Sequence, residues 1–193
     1  DLVDWELAEQ TARTMDDQRR ASVGGGEIPI GPLHGIPITI KDLYQVRGTP
    51  LHAGTRAALP GLGMDEAVAV TRLRDAGAII FAKTNMHEIA LGATGENPWT
   101  GDVLNPFDHA YQAGGSSCGA GAATAVGIGF AGLGSDTGGS VRIPAAFCGL
   151  AGFKPSFGAI PLAGALHLSW TCDHAGPLAD RKSTRRTPVT FRI

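Results

Sequence analysis

The chain has 193 residues, enough for one domain, or one domain with an appendage, and for a sizeable core. Its 43% hydrophobic and 18% charged content excludes a disordered polymer. With 16 Lys plus Arg against 18 Asp plus Glu, a net charge of −2, no one-signed field invites nucleic acid or an anionic membrane.

The chain opens DLVDWELAEQ, with neither a basic start nor an initiator Met. This predicts no signal peptide, and a first residue that was not the first one made. Ala, Leu and Glu at helical spacing over 3–21 predict an amphipathic helix, ending before the GGG at 24–26. Ile36, Ile38 and Ile40 alternate around Pro37 and Thr39, the pattern of a short strand that delivers Lys41 and Asp42 at its end. A helix is predicted over 65–78, with Ala67, Val70, Leu73 and Ala76 on one side, then a buried strand over 79–85. Helix, glycine and strand in that order are the punctuation of an α/β layered protein. A helix of small residues over 117–129, a buried strand over 130–136 and a short helix over 141–152 follow. The last fourteen residues, DRKSTRRTPVTFRI, hold five basic residues and no core face. They read as a disordered or out-of-frame tail, so the domain is placed at 1–179 and the tail at 180–193. No apolar run approaches the roughly 18 residues that a membrane helix needs.

Cys118, Cys148 and Cys172 are odd in number, widely spaced and form no CxxC pair. Neither a zinc site nor a disulfide framework is indicated, and a reduced, cytoplasmic setting fits. His34, His52, His87, His109, His167 and His174 show no ligand spacing, so surface or core roles are expected, with no metal. Trp5, Trp99 and Trp170 are isolated and are expected in the core.

Of the 28 glycines, many cluster between Gly114 and Gly158, where they serve backbone geometry. In GSDTGGSVRIP, Gly138 and Gly139 run into Ser140. Successive N–H groups in such a loop can converge into an anion nest. A helix starting just beyond adds its positive end, and a serine there has its own oxyanion hole, as acyl transfer requires. The bland alternative is a glycine-rich turn between strand and helix. No histidine lies within twenty residues of Ser140, so an ordinary imidazole base is not supplied locally. AGGSSCGAGAA places glycines before Ser116 and Ser117, again at a predicted helix start. IKDLY puts Lys41 at the end of a buried strand, and a desolvated lysine becomes a neutral base. Lys41 as base and Ser116 as relay would serve Ser140 without histidine. On pattern alone Lys83, which also ends a strand, competes with Lys41. GSSCG also matches GxSxG and offers Ser117 as an esterase nucleophile with Asp173 and His174 downstream, although the preceding NPFDHAYQAG lacks the required hydrophobic strand.

Three motifs in order, GPLHGIPITIKD, AGGSSCGAGAA and GLGSDTGGSVRIPAAFCGLAGFKPSFG, closely resemble the amidase signature family, from about residue 7 to 177 and including CDHAGPLA. That family comprises amidases, glutamyl-tRNA amidotransferase A subunits, fatty-acid amide hydrolases and allophanate hydrolases. The resemblance implies an α/β fold with a mixed sheet flanked by helices, and a Ser–cisSer–Lys triad of Ser140, Ser116 and Lys41, the peptide bond of Ser116 being cis. It assigns the oxyanion hole to the N–H groups of Thr137, Gly138, Gly139 and Ser140. Ser117, Asp136 and Arg142 fall at positions that support this network, and AKTNMHE at pocket-lining ones. The implied activity is hydrolysis of carboxylic amides, with esters alongside, on a small-molecule substrate and without a cofactor, nucleic acid or membrane. Cys118 departs from the usual glycine or serine and reads as packing. Members of the family are well over twice this length, which predicts that much of the sheet and most of the substrate pocket lie outside this chain. A non-enzymatic fragment that associates with itself through exposed sheet edges, a homo-oligomer, is the competing expectation.

Overall fold

The computed structural model describes residues 5–23 and 30–180. In chain order these form α1 (Trp5–Val23), β1 (Pro37–Lys41), α2 (Val68–Asp75), β2 (Ile79–Thr84), a 3-10 turn (Glu88–Ala90), β3 (Leu104–Asn105), β4 (Asp108–Gln112), α3 (Cys118–Ala125), β5 (Ala131–Ser135), α4 (Arg142–Phe147), β6 (Ala151–Gly152) and β7 (Ala175–Ala179). The expected tail lies outside the described residues, apart from Asp180.

A five-stranded sheet runs in the order β2-β1-β5-β7-β6. β1 is parallel to both β2 and β5, whereas β7 is antiparallel to β5 and β6. The sheet is therefore mixed, as the resemblance implied. β1, the apolar alternating run, sits inside it because its residues find partners on both sides. Ile38 and Ile40 turn to one face, where they join Val70 and Leu73 of α2 and Leu133 of β5 in the larger apolar cluster. Burying a side chain of this size is worth about 1.5–3 kcal/mol. On the other face α3 and α4 supply Cys118, Ala120 and Ala145 to a second cluster that also holds Leu178 of β7.

Helix ends depart from the sequence reading for local reasons. Gly77, Gly127 and Gly149 all take positive φ, which stops the three inner helices short of their expected ends. Past Gly149 the expected helix over 141–152 gives way to β6, paired with β7. β7 itself is not expected from AGPLA, since Gly and Pro mimic a turn; its pairing with β5 decides it. NPFDHAYQ, which lacks the hydrophobic strand that GxSxG would require, lies in an exposed hairpin of β3 and β4.

α1 is a surface helix with no fully buried residue. Trp5 packs on Phe81 at 5.8 Å between ring centroids, and the His34 ring nitrogen Nε2 reaches the Met15 carbonyl at 2.9 Å. All three tryptophans correct the expectation of core positions, being 63%, 51% and 78% exposed. Trp99 donates from Nε1 to Glu88 and lies under Arg56, and Trp170 stacks on His167 at 3.9 Å. Each indole keeps a partner without leaving the surface.

Candidate active site

The site gathers where β1 and β5 end side by side and α3 begins. Parallel pairing of Ile38 with Ala131 and Ile40 with Leu133 brings Lys41 level with the end of β5. α3 can approach this face closely because glycines stand opposite it. A Cβ on Gly132 would lie 2.9 Å from the Ala120 Cβ, and one on Gly134 would lie 2.7 Å from Ser117 Oγ. The small residues of the helix thus bring the Ser116–Ser117 turn down onto the ends of the strands.

Lys41 is fully buried and its Nζ donates to Ser116 Oγ at 2.7 Å and to Ser135 Oγ at 2.9 Å. Burial pushes its amine down from 10.5 to about 7, against the opposing pull of Cys118, Asp136 and Asp173. An amine in that range is free base for a large fraction of molecules near neutrality. The Gly115–Ser116 peptide bond is cis. Ser116 is itself buried, and its carbonyl accepts from His87 N–H at 3.1 Å. Cys118 is buried too, its thiol pushed up by desolvation and pulled back by Lys41.

Ser140 lies on the loop between β5 and α4 and keeps 9% exposure. The next residue of the turn binds it directly, Ser117 N–H donating to the Ser140 carbonyl at 3.2 Å. In front of Ser140, Gly138 is exposed and Gly139 takes φ +139°, a conformation closed to most side chains. A Cβ on Gly138 would meet open space, so of the two glycines only Gly139 is demanded by backbone geometry. The N–H groups of Thr137, Gly138, Gly139 and Ser140 donate to no other described residue, whereas those of Val141 and Arg142 go to Asp136 Oδ2 and that of Ile143 to the Gly139 carbonyl. Four successive N–H groups without a described partner thus stand beside a nearly buried hydroxyl, which is what an oxyanion hole would require.

Asp136 anchors this loop. Burial would raise its carboxyl, but hydrogen bonds from the Arg142 side chain and the N–H groups of Val141 and Arg142 outweigh that and hold it at about 2. Arg142 binds it with Nε and Nη2, both at 3.0 Å. Ser117 has a different task, its hydroxyl donating to the Ser135 carbonyl at 3.2 Å and accepting from Ser135 N–H at 3.3 Å. That hydroxyl is buried and spent on β5, and His174 Nδ1 turns instead to the Cys172 carbonyl. The GxSxG arrangement therefore has no assembled serine, histidine and acid here. Lys83 is likewise engaged, paired with Asp42 at 2.5 Å and donating to the Pro50 carbonyl at 2.8 Å. The AKTNMHE segment packs under Ser116, with Met86 fully buried.

Ser135 is the residue the sequence reading missed. It stands inside the GSDTGGS run, but only the pairing of β5 with β1 reveals that it faces Lys41. Tyr44 was missed in the same way. Fully buried, it donates to the Gly134 carbonyl at 2.8 Å, and burial raises its phenol.

Residues 2–185 match the Amidase family model. An indoleacetamide hydrolase of Pseudomonas savastanoi is 48% identical over 147 residues, 76% of this chain and 32% of that protein. A glutamyl-tRNA(Gln) amidotransferase A subunit from Nitratidesulfovibrio vulgaris is 43% identical over 167 residues, 86% of this chain and 34% of that one. Among solved structures, one described as an amidase superposes with TM-score 0.86 and 57% identity, over 92% of this chain and 40% of the other. A native peptide amidase from Stenotrophomonas maltophilia gives 0.81 and 32%, over 92% and 36%. The chain spans about a third of the length of the curated relatives it matches.

Proposed function

We propose that this chain, which belongs to the amidase family, carries the acyl-transfer centre of a serine hydrolase that cleaves carboxylic amide bonds and, more easily, esters. The observation that carries the reading is the buried Lys41 amine, lowered to about 7 and 2.7 Å from Ser116 Oγ. In its neutral form Lys41 offers a lone pair to the Ser116 proton while Ser116 takes the proton of Ser140, whose hydroxyl makes no hydrogen bond to Ser116 among the described residues and turns to it for the transfer. Ser140 Oγ then attacks the carbonyl carbon, and the developing oxyanion meets the N–H groups of Thr137, Gly138, Gly139 and Ser140. The proton returns through Ser116 to the leaving amine, and water repeats the sequence on the acyl-enzyme. Ser135 and Asp136 have supporting parts, the first orienting the amine and the second, with Arg142, fixing the nucleophile loop. The names indoleacetamide hydrolase and peptide amidase, borne by similar proteins, support amide cleavage over other acyl transfers.

The test is covalent capture. A fluorophosphonate probe exchanges its P–F bond for a bond to Ser140 Oγ, the serine proton leaving by way of Ser116 and fluoride departing. Peptide mapping should find the adduct on Ser140, and none in Ser140→Ala or Lys41→Ala. An adduct on Ser117, or none on well-folded protein, overturns the reading. An amide and ester panel on the same preparation ranks the acyl donors.

A further inference from the structure

CDHAGPLA contributes no group to the proton relay, yet it places a buried carboxylate against the nucleophile loop. Asp136 and His174 exchange both backbone hydrogen bonds, at 2.8 and 3.1 Å, extending the β5–β7 ladder by one pair. The next pair outward is Thr137 and Asp173. There the Thr137 hydroxyl donates to Asp173 Oδ1 at 2.5 Å, while Asp173 Oδ2 accepts from Leu168 N–H at 2.8 Å and Ser169 N–H at 3.0 Å. His167 Nδ1 lies 3.4 Å from the same oxygen. Lys154 Nζ takes the Thr137 carbonyl at 3.2 Å from the other side. The side chain and carbonyl of Thr137 are thus both tied, and its N–H is left free at the head of the four-donor loop.

We infer that Asp173 is a positioning residue for acyl transfer, holding the Thr137 hydroxyl so that the N–H groups from Thr137 to Ser140 converge on one point. The inference rests on the reading of Ser140 as nucleophile. A free loop with glycine at 138 and 139 would spread over many backbone states, and fixing its first residue removes that freedom before substrate arrives. Two carboxylates pull on the Lys41 ammonium, Asp136 and, more weakly, Asp173, and of these Asp136 is already paired with Arg142 and Lys154. Asp173 adds a small pull of its own, so its removal carries an electrostatic signature at Lys41 that loop packing lacks.

The experiment measures the rate of fluorophosphonate labelling at Ser140 across neutral pH, with a thermal midpoint, for the unaltered chain, Asp173→Asn, Thr137→Val, Thr137→Ser and the Asp173→Asn/Thr137→Val pair. Asp173→Asn and Thr137→Val should each slow labelling about 10-fold or more, as misaimed oxyanion donors do. Thr137→Ser, which keeps the hydroxyl that Asp173 accepts from, should label faster than Thr137→Val. The pair should be no slower than its slower member, since both break one link. Asp173→Asn alone should move the pH midpoint downward, because losing the anion favours the neutral amine. Labelling of Asp173→Asn at the unaltered rate overturns the inference. So does a slowing that only follows the thermal midpoint with the pH midpoint unmoved. An unaltered chain that never labels overturns the catalytic reading, and this inference with it.

Discussion

Lys41 is held where its charge is least welcome, so both activity and stability should follow its proton. Labelling or turnover should rise with pH through about 7, the point to which burial brings this amine, and a flat pH profile would contradict the neutral-base assignment. The linked effect on stability has a definite sign. Between about 7 and 10.5 the unfolded chain keeps a proton on Lys41 that the folded chain has released, so folding stability gains with rising pH across that window. Lys41→Met should erase that gain along with activity, which thermal midpoints at successive pH values would reveal. Asp136 works in the opposite range. Its carboxyl sits at about 2 against 3.8, so its contribution is complete above 3.8 and is lost as pH falls toward 2. Ser117 belongs at this scale too. Ser117→Ala leaves a buried carbonyl and N–H of β5 without their partner, and should cost about 1–3 kcal/mol by denaturant titration.

At the scale of elements, the site depends on how closely α3 lies on β5. Gly132→Ala would set a methyl 2.9 Å from the Ala120 Cβ and 3.0 Å from Thr39 Oγ1. Helix and strand must separate to admit it, at about 1–3 kcal/mol, because overpacked interfaces do not relax freely. The same separation lifts Ser116 from Lys41, so labelling should fall by more than the stability loss predicts. Comparing the two readouts in one variant checks this. The β5–α4 loop is the complementary case. Gly139→Ala meets only the movable Ile143 side chain, yet φ +139° is hostile to any Cβ, so the loop should shift at a cost of about 1–3 kcal/mol.

For the whole molecule, two apolar clusters on opposite faces of the sheet supply the bulk of the burial, and a buried ion pair secures the functional end of β1. Asp42 accepts from Gly54 N–H at 3.2 Å while paired with Lys83, which itself donates to the Pro50 carbonyl. One carboxylate thereby ties β1, β2 and the segment 50–54 together, one residue beyond Lys41. Lys83→Met strands that carboxylate in a dry site and should destabilise by about 3–5 kcal/mol. Lys83→Met with Asp42→Leu should recover part of the loss, and equilibrium unfolding of the three proteins measures the difference. No helix among the described residues is long and apolar enough to cross a membrane.

Local order was legible wherever one segment contained its own reason. β1 was visible in Ile36, Ile38 and Ile40 and put Lys41 at its end, while two glycine–serine runs drew attention to Ser116 and Ser140, so the three could be proposed together along with the α/β class. What the sequence could not display were links between remote segments. Lys41 meets Ser116 across 75 positions and Ser135 across 94, and Thr137 meets Asp173 across 36. AGPLA looks like a turn until β5 lies beside it, and Trp170 looks like core until His167 gives it a surface partner. Periodicity and residue type decide backbone conformation within a few turns. Which hydroxyl meets which amine depends on strand order and register, and those are settled only when the whole sheet pairs.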